Sequence, residues 1–327
     1  MTLEQAGFLL EEVLLFFYLR RERIMGDPSR MKGIVMVLLS AVFWGGSGAA
    51  AQFLFQQQNV SVEWLVTVRL LISGFVLLSW AAWNTKWAVL AIWNDRFSRV
   101  SLLLFSLLGM VGVQYTFFEA IASGNAATAT VLQYLAPVLI VLYFAMQSKA
   151  MPAFREAAAV FLSLIGTFFL VTGGRLGELS ISGTALFWGL GSALALAFYT
   201  VYPIELLKRW GSIAVVGWAM TLGGVIFSFV HPPWNFEGEP SFSTVAAILF
   251  VVIFGTLMAF YFYLESLRYL RPSETSLLAC VEPLSAVLLS VLLLNVAFGF
   301  GEWLGTLCII ATVLILSRVK KEASYEN

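Results

Sequence analysis

GIVMVLLSAVFWGGSGAAAQFLF, residues 33–55, follows Arg30 and Lys32 and holds no charged residue. Crossing the hydrocarbon core of a bilayer takes about 20 apolar residues, so this stretch reads as a membrane span. Nine further apolar runs follow, at roughly 64–83, 100–121, 126–146, 156–172, 183–203, 212–230, 243–264, 273–294 and 303–317. The segments before the first run, after the last, and between every second pair carry 17 of the 19 Lys and Arg. The alternate segments carry only Arg175, and Arg69 lies inside the second run. Short loops rich in Lys and Arg stay cytoplasmic, so both termini are expected inside. A wrong number of spans would scramble this alternation. The expected fold is therefore an all-α polytopic membrane protein with ten transmembrane helices.

Composition agrees. Mean hydropathy is +0.88, 60% of residues are hydrophobic and 12% are charged, which excludes an ordinary soluble domain. The formal net charge is zero, so nothing argues for nucleic acid. Trp64, Trp83, Trp210 and Trp303 fall near span ends, where interfacial rings anchor. Cys280 and Cys308 both fall inside spans and imply neither a disulfide framework nor a metal site. The single His, His231, precedes Pro232 and Pro233 and reads as a loop-edge residue before a proton relay.

Residues 1–30 form a separate N-terminal cytoplasmic segment, and two readings of it stand. Phe8 to Leu19 is apolar but interrupted by Glu11 and Glu12, and is too short to span. It is an interfacial helix on the inner leaflet, or the true start lies at Met25 or Met31.

Sliding the chain on itself by 146 residues aligns Gly109 with Gly255, Tyr115 with Tyr261 and Glu119 with Glu265. The same register aligns Pro137 with Pro283 and Glu156 with Glu302. Two five-span halves follow, 31–176 and 177–321, with a tail at 322–327. An odd number of spans makes the second copy enter from the opposite side, so the repeats are expected to be inverted, as in many transporters.

The chain resembles the drug/metabolite transporter superfamily, specifically its ten-helix EamA-like exporters of amino acids and other metabolites. The likeness covers about residues 31–317. It rests on "GIVMVLLSAVFWGGSGAAAQ" (33–52), on Arg69, and on two copies of one pattern, "AIASGNAATATVLQYLAPV" (120–138) and "SLRYLRPSETSLLACVEPL" (266–284). An acid often found about a dozen residues beyond the mid-helix proline is absent at 145–150 and 292–297. The resemblance implies ten helices around a central cavity lined by spans 1, 3, 4, 6, 8 and 9, in a plasma membrane.

Charge buried in hydrocarbon costs roughly 2.5–3.5 kcal/mol on insertion scales, so intramembrane charges invite a functional reading. Glu282 lies about 14 Å into its span at 1.5 Å per residue, near the midplane of a core about 30 Å thick. It is either an acceptor for a substrate amine or proton, or one half of a charge pair with Arg69. Pro137 and Pro283 each remove a helical amide, leaving the carbonyls of Gln133 and Ala279 without their usual partner. Gln133 is expected at the cavity or in a helix–helix hydrogen bond. Trp44, Tyr115, Tyr199 and Tyr261 lie on the spans that the resemblance assigns to the cavity, and such rings suit amphipathic solutes or cations. The small residues Gly45 to Ala51 permit close helix approach.

The leading expectation is a secondary transporter exporting small metabolites, amino acids or related amphipathic solutes, with proton or solute counter-transport. Its partners are a small-molecule substrate and the lipid bilayer; no cofactor or metal is expected. No Walker A pattern is present. The alternatives are a membrane-embedded enzyme, which lacks an HExxH or clustered carboxylates, and a channel, which would need a symmetric pore or charged ring.

Overall fold

The computed structural model describes residues 28–85, 88–149, 151, 153–175, 180–266, 268–270, 275, 278–279 and 281–323. Cys280 and nearly all of the N-terminal segment lie outside them. The chain runs as α1 (Pro28–Gln57), α2 (Val62–Thr85), a 3-10 helix (Ala88–Asn94) and α3 (Arg96–Ser123). It continues as α4 (Ala126–Gln133), α5 (Ala136–Ser148), α6 (Phe154–Thr172) and α7 (Gly183–Val201). The rest comprises α8 (Ile204–Trp210), α9 (Ser212–Phe227), α10 (Phe242–Ser266), α11 (Val281–Leu294) and α12 (Phe300–Ala323).

Helices cover the expected spans as far as the described residues reach, with the span at 126–146 broken into α4 and α5 and that at 273–294 described as a helix element from Val281. Among the described residues, seven helices are long and apolar enough to cross a membrane: α1, α2, α3, α4 with α5, α6, α7 and α10. An eighth is counted if α8 and α9, bent by 117°, form one span. α11 and the apolar part of α12, Phe300–Ile315, are shorter. By length alone, ten full crossings are therefore not reached among the described residues.

Packing follows the distribution of small residues. α2 lies along α9 and α6 along α12. A Cβ added to Gly305 would sit 2.6 Å from the Gly166 carbonyl oxygen, and one added to Gly166 would sit 3.0 Å from that of Gly305. The backbones of α6 and α12 thus touch where only glycine fits. α1 packs on α10 and α11, and α7 packs on α3, α4 and α5. Gly45 serves the first of these contacts, because a Cβ there would meet the Glu282 carbonyl at 2.9 Å.

Two helices carry π segments, Phe105–Val111 in α3 and Phe250–Met258 in α10. Each places an extra residue in a turn and rotates the face of the helix beyond it. The two segments contain Gly109 and Gly255, which the repeat register aligns.

Hydrogen bonds tie one end of the bundle together. Gln52 Oε1 accepts from the Ala126 amide at 2.9 Å, and Gln56 Nε2 donates to the Gly124 carbonyl at 2.8 Å. Gln58, just beyond α1, accepts from the Glu239 amide at 2.9 Å through its carbonyl. Its side-chain oxygen accepts from Ser241 at 3.2 Å and from Thr244 at 2.7 Å. At the opposite end, Asp95 caps α3, accepting from the Ser98 amide at 2.9 Å and its hydroxyl at 2.7 Å. Trp210 Nε1 of α8 donates to the same Ser98 hydroxyl at 3.0 Å.

The expected tryptophan belt holds only in part. Trp83 is 87% exposed, but Trp64 is 8% exposed and its Nε1 donates to the Pro233 carbonyl at 2.9 Å. A buried indole N–H needs a partner, and the loop beside His231 supplies it. His231 itself sits in that loop, with Nε2 3.4 Å from Glu237 Oε1.

Candidate functional site

The interruption between α4 and α5 builds the site. Pro137 sits in the first turn of α5, and Tyr134 and Leu135 form a turn instead of continuing the helix. The freed polar groups and the side chains around the break face a cavity of about 1130 Å³. Its inner part is lined by Trp44 and Ser47 of α1, Arg69 of α2, Gln114 of α3, Gln133 of α4 and Glu282 of α11. Its wall reaches Gln147 and Ser148 at the end of α5, exposed Met151, and Glu156 at the start of α6. The mouth thus lies at the end carrying the Asp95 cap, away from the end closed by Gln52, Gln56 and Gln58.

Glu282 and the proline break opposite it meet through one hydroxyl. Tyr134 Oη lies 2.9 Å from Glu282 Oε2 and 3.1 Å from the Ala279 carbonyl oxygen. The Ala279 carbonyl is the one that Pro283 leaves without an amide, so the broken helix borrows its donor from α4–α5. Gln133 does both things open to it in sequence. It lines the cavity, and its Nε2 donates to Ser192 Oγ of α7 at 2.7 Å.

Arg69 is 7% exposed and does not pair directly with Glu282 among the described residues. Its guanidinium instead lies over the Phe118 ring, with Cζ 4.7 Å from the centroid. Of the two readings open for Glu282 in the sequence, a direct pair with Arg69 is not seen among the described residues. The two charges approach the cavity from different helices, and each already has a neighbour from its own half or the other.

Trp44 and Tyr199 line the cavity, while Tyr115 and Tyr261 do not. Tyr115 packs between Trp188 at 5.6 Å and Phe227 at 5.4 Å, its hydroxyl 3.4 Å from Glu63 Oε1. Tyr261 packs against Trp80 at 5.4 Å. Both were expected at the cavity from their span alone, and the aromatic partners each meets set the face it takes. Pro137 lines the cavity, and Pro283 is buried in α11 behind it.

Three contributors escape a reading of the sequence: Tyr134, Gln114 and Ser47. Tyr134 adjoins Gln133 within a motif already singled out, and Gln114 is a polar amide in mid-span, so both carried a usable signal. Ser47 was hidden in a run of small residues; a Cβ on Gly255 would collide with it, which brings α10 onto the cavity wall. Glu156 and Glu302, the acids nearest the missing family position, act at helix starts. Glu156 Oε2 accepts from the Ala153 amide at 2.9 Å, and Glu302 accepts from Ser180.

Known proteins agree with this architecture. The EamA-like transporter family profile matches the chain twice, over residues 31–172 and 183–318. The uncharacterized inner membrane transporter YicL of Salmonella typhimurium is 41% identical over 289 residues, covering 88% of this chain and 96% of that one. An uncharacterized transporter of Archaeoglobus fulgidus is 24% identical over 250 residues, 74% of this chain and 84% of its own. A solved crystal structure, 19% identical, superposes with a TM-score of 0.60 over 89% of this chain and 98% of its own, a likeness of fold alone. The chain is a multi-pass plasma-membrane protein and belongs to the EamA-like transporter family.

Proposed function

We propose that the protein exports small metabolites, amino acids or related amphipathic solutes, by alternating access of the central cavity. The observation that carries this reading is a cavity lined from both halves, tied shut at one end and reaching the surface at the other. The ten-span arrangement, two inverted repeats at 31–176 and 177–321 with both termini cytoplasmic, belongs to the same proposal. Paired packing supports it: α2 lies on α9 and α6 on α12, each on the helix that the 146-residue register makes its counterpart. The double match of the family profile supports it too. With the basic segments inside, the mouth opens to the cytoplasm, the side from which an exporter loads.

Glu282 then accepts a substrate amine or a proton, with Tyr134 holding its carboxyl in place. Cells expressing the protein, compared with cells expressing Glu282→Gln at equal membrane abundance, test this through the metabolites of the medium. Enrichment of one solute class only with the unmutated chain is expected. Identical media would overturn the assignment of Glu282. Loss of the variant from the membrane would make Glu282 structural.

A further inference from the structure

Two buried polar side chains on the cavity wall each keep an atom without a hydrogen-bond partner. Arg69 is 7% exposed, its Nε has no hydrogen-bond partner, and none of its N–H groups forms a hydrogen bond or ion pair among the described residues. Gln114 is likewise 7% exposed; its Nε2 lies 3.2 Å from Met110 Sδ, and its Oε1 has no partner. Gln114 and Phe118, the ring under Arg69, are four residues apart and share one face of α3. Glu282, which lines the same cavity, accepts a hydrogen bond from Tyr134 at 2.9 Å. Thus the cavity offers an unneutralised cation and no equally unengaged anion.

A buried ion without a counter-charge costs several kcal/mol, so a cation held in this way is matched to something that enters. Inorganic anions are small for a space of about 1130 Å³ walled by Trp44, Phe117, Phe118 and Phe260. An organic carboxylate fits both features. The planar guanidinium fork takes carboxylate oxygens two at a time. Arg69 has its Cζ 4.7 Å from the Phe118 ring centroid, lines the cavity, and keeps an Nε–H with no hydrogen-bond partner for a ligand to meet. Gln114, turned end for end, adds an amide N–H donor to the same wall.

We infer that Arg69 anchors a carboxylate of the transported solute, with the body of the solute lying along the aromatic wall. The inference rests on the cavity being the solute path proposed above. A solute that also carries an ammonium group reaches for Glu282 with it, so the two charges receive opposite ends of one molecule.

The test uses full-length protein in nanodiscs and three probes sharing a phenyl ring: phenylacetate, phenethylamine and 2-phenylethanol. Binding is read from tryptophan fluorescence and from the thermal midpoint. Phenylacetate is expected to bind at least about tenfold more tightly than the other two, a difference of about 1.4 kcal/mol. Arg69→Gln should remove that preference, and Arg69→Lys should keep part of it. Equal binding of the alcohol or the amine would overturn the inference. So would no binding of any probe, stabilisation by chloride equal to that by phenylacetate, or unchanged preference in Arg69→Gln. If Arg69→Gln does not fold, the probe series on the unmutated chain and on Arg69→Lys decides. Binding is measured without flux, so a failed anchor shows here, whereas failed transport shows as no vectorial movement in vesicles.

Discussion

At the scale of single residues, Tyr134 joins the helix break of α4–α5 to that of α11. Its one hydroxyl proton faces two acceptors, the Ala279 carbonyl and Glu282 Oε2. Both are satisfied together when Glu282 carries a proton, which ties the protonation of that carboxyl to the helix break beside it. Tyr134→Phe removes the donor and is expected to cost about 1–3 kcal/mol, the usual penalty for a buried polar group left unpaired. A thermal midpoint equal to that of the unmutated protein would contradict this. The orphaned carbonyl was legible in the sequence, because Pro283 dictates it. Its partner was not, because Tyr134 lies 145 residues away from Ala279 and no local pattern links them. Tyr115 and Tyr261 show the converse limit: the sequence places each on a span, but the distant rings that hold them off the cavity, Trp188 and Phe227 for one and Trp80 for the other, leave no local pattern.

At the scale of elements, two contacts give tests outside the cavity. The Gly166–Gly305 approach holds α6 on α12, and a branched side chain there has no room. Gly305→Val is expected to lose at least about 1–3 kcal/mol to overpacking and to fall in membrane abundance. Full abundance would show that the helices can separate freely. Asp95 lies outside the membrane, and its hydrogen bonds to Ser98, helped by nearby Arg209, hold its carboxyl below the usual range. Its contribution is therefore present above the ordinary carboxylate pKa and lost as pH falls through the lower folded value. Asp95→Asn keeps the cap geometry without the charge, so its melting temperature should trail that of the unmutated protein near neutrality and converge with it in acid. A constant gap across that range would refute the charge argument. The apolar runs announced the long helices but not the 3-10 helix Ala88–Asn94 or α8, which lie between spans, and the 117° bend between α8 and α9 had only Gly211 to announce it.

At the scale of the whole molecule, the basic residues and the 146-residue register already implied sidedness and duplication. The cavity's closed end was not legible, because Gln52, Gln56 and Gln58 close it through backbone partners brought near only by the fold. Alternating access requires this end to open, and that can be measured directly. In a cysteine-free background, Ser47→Cys places a thiol on the cavity wall, while Gln58→Cys with Ser241→Cys replaces a hydrogen-bonded pair at the closed end. Labelling Ser47→Cys with a membrane-impermeant maleimide, in right-side-out and inside-out vesicles, reads access from each face. The expected result is labelling from both faces in the unlocked protein. Oxidising the 58–241 pair should then abolish outside labelling and leave inside labelling intact. Outside labelling that survives the lock, or that never occurs without it, would contradict alternating access through this cavity.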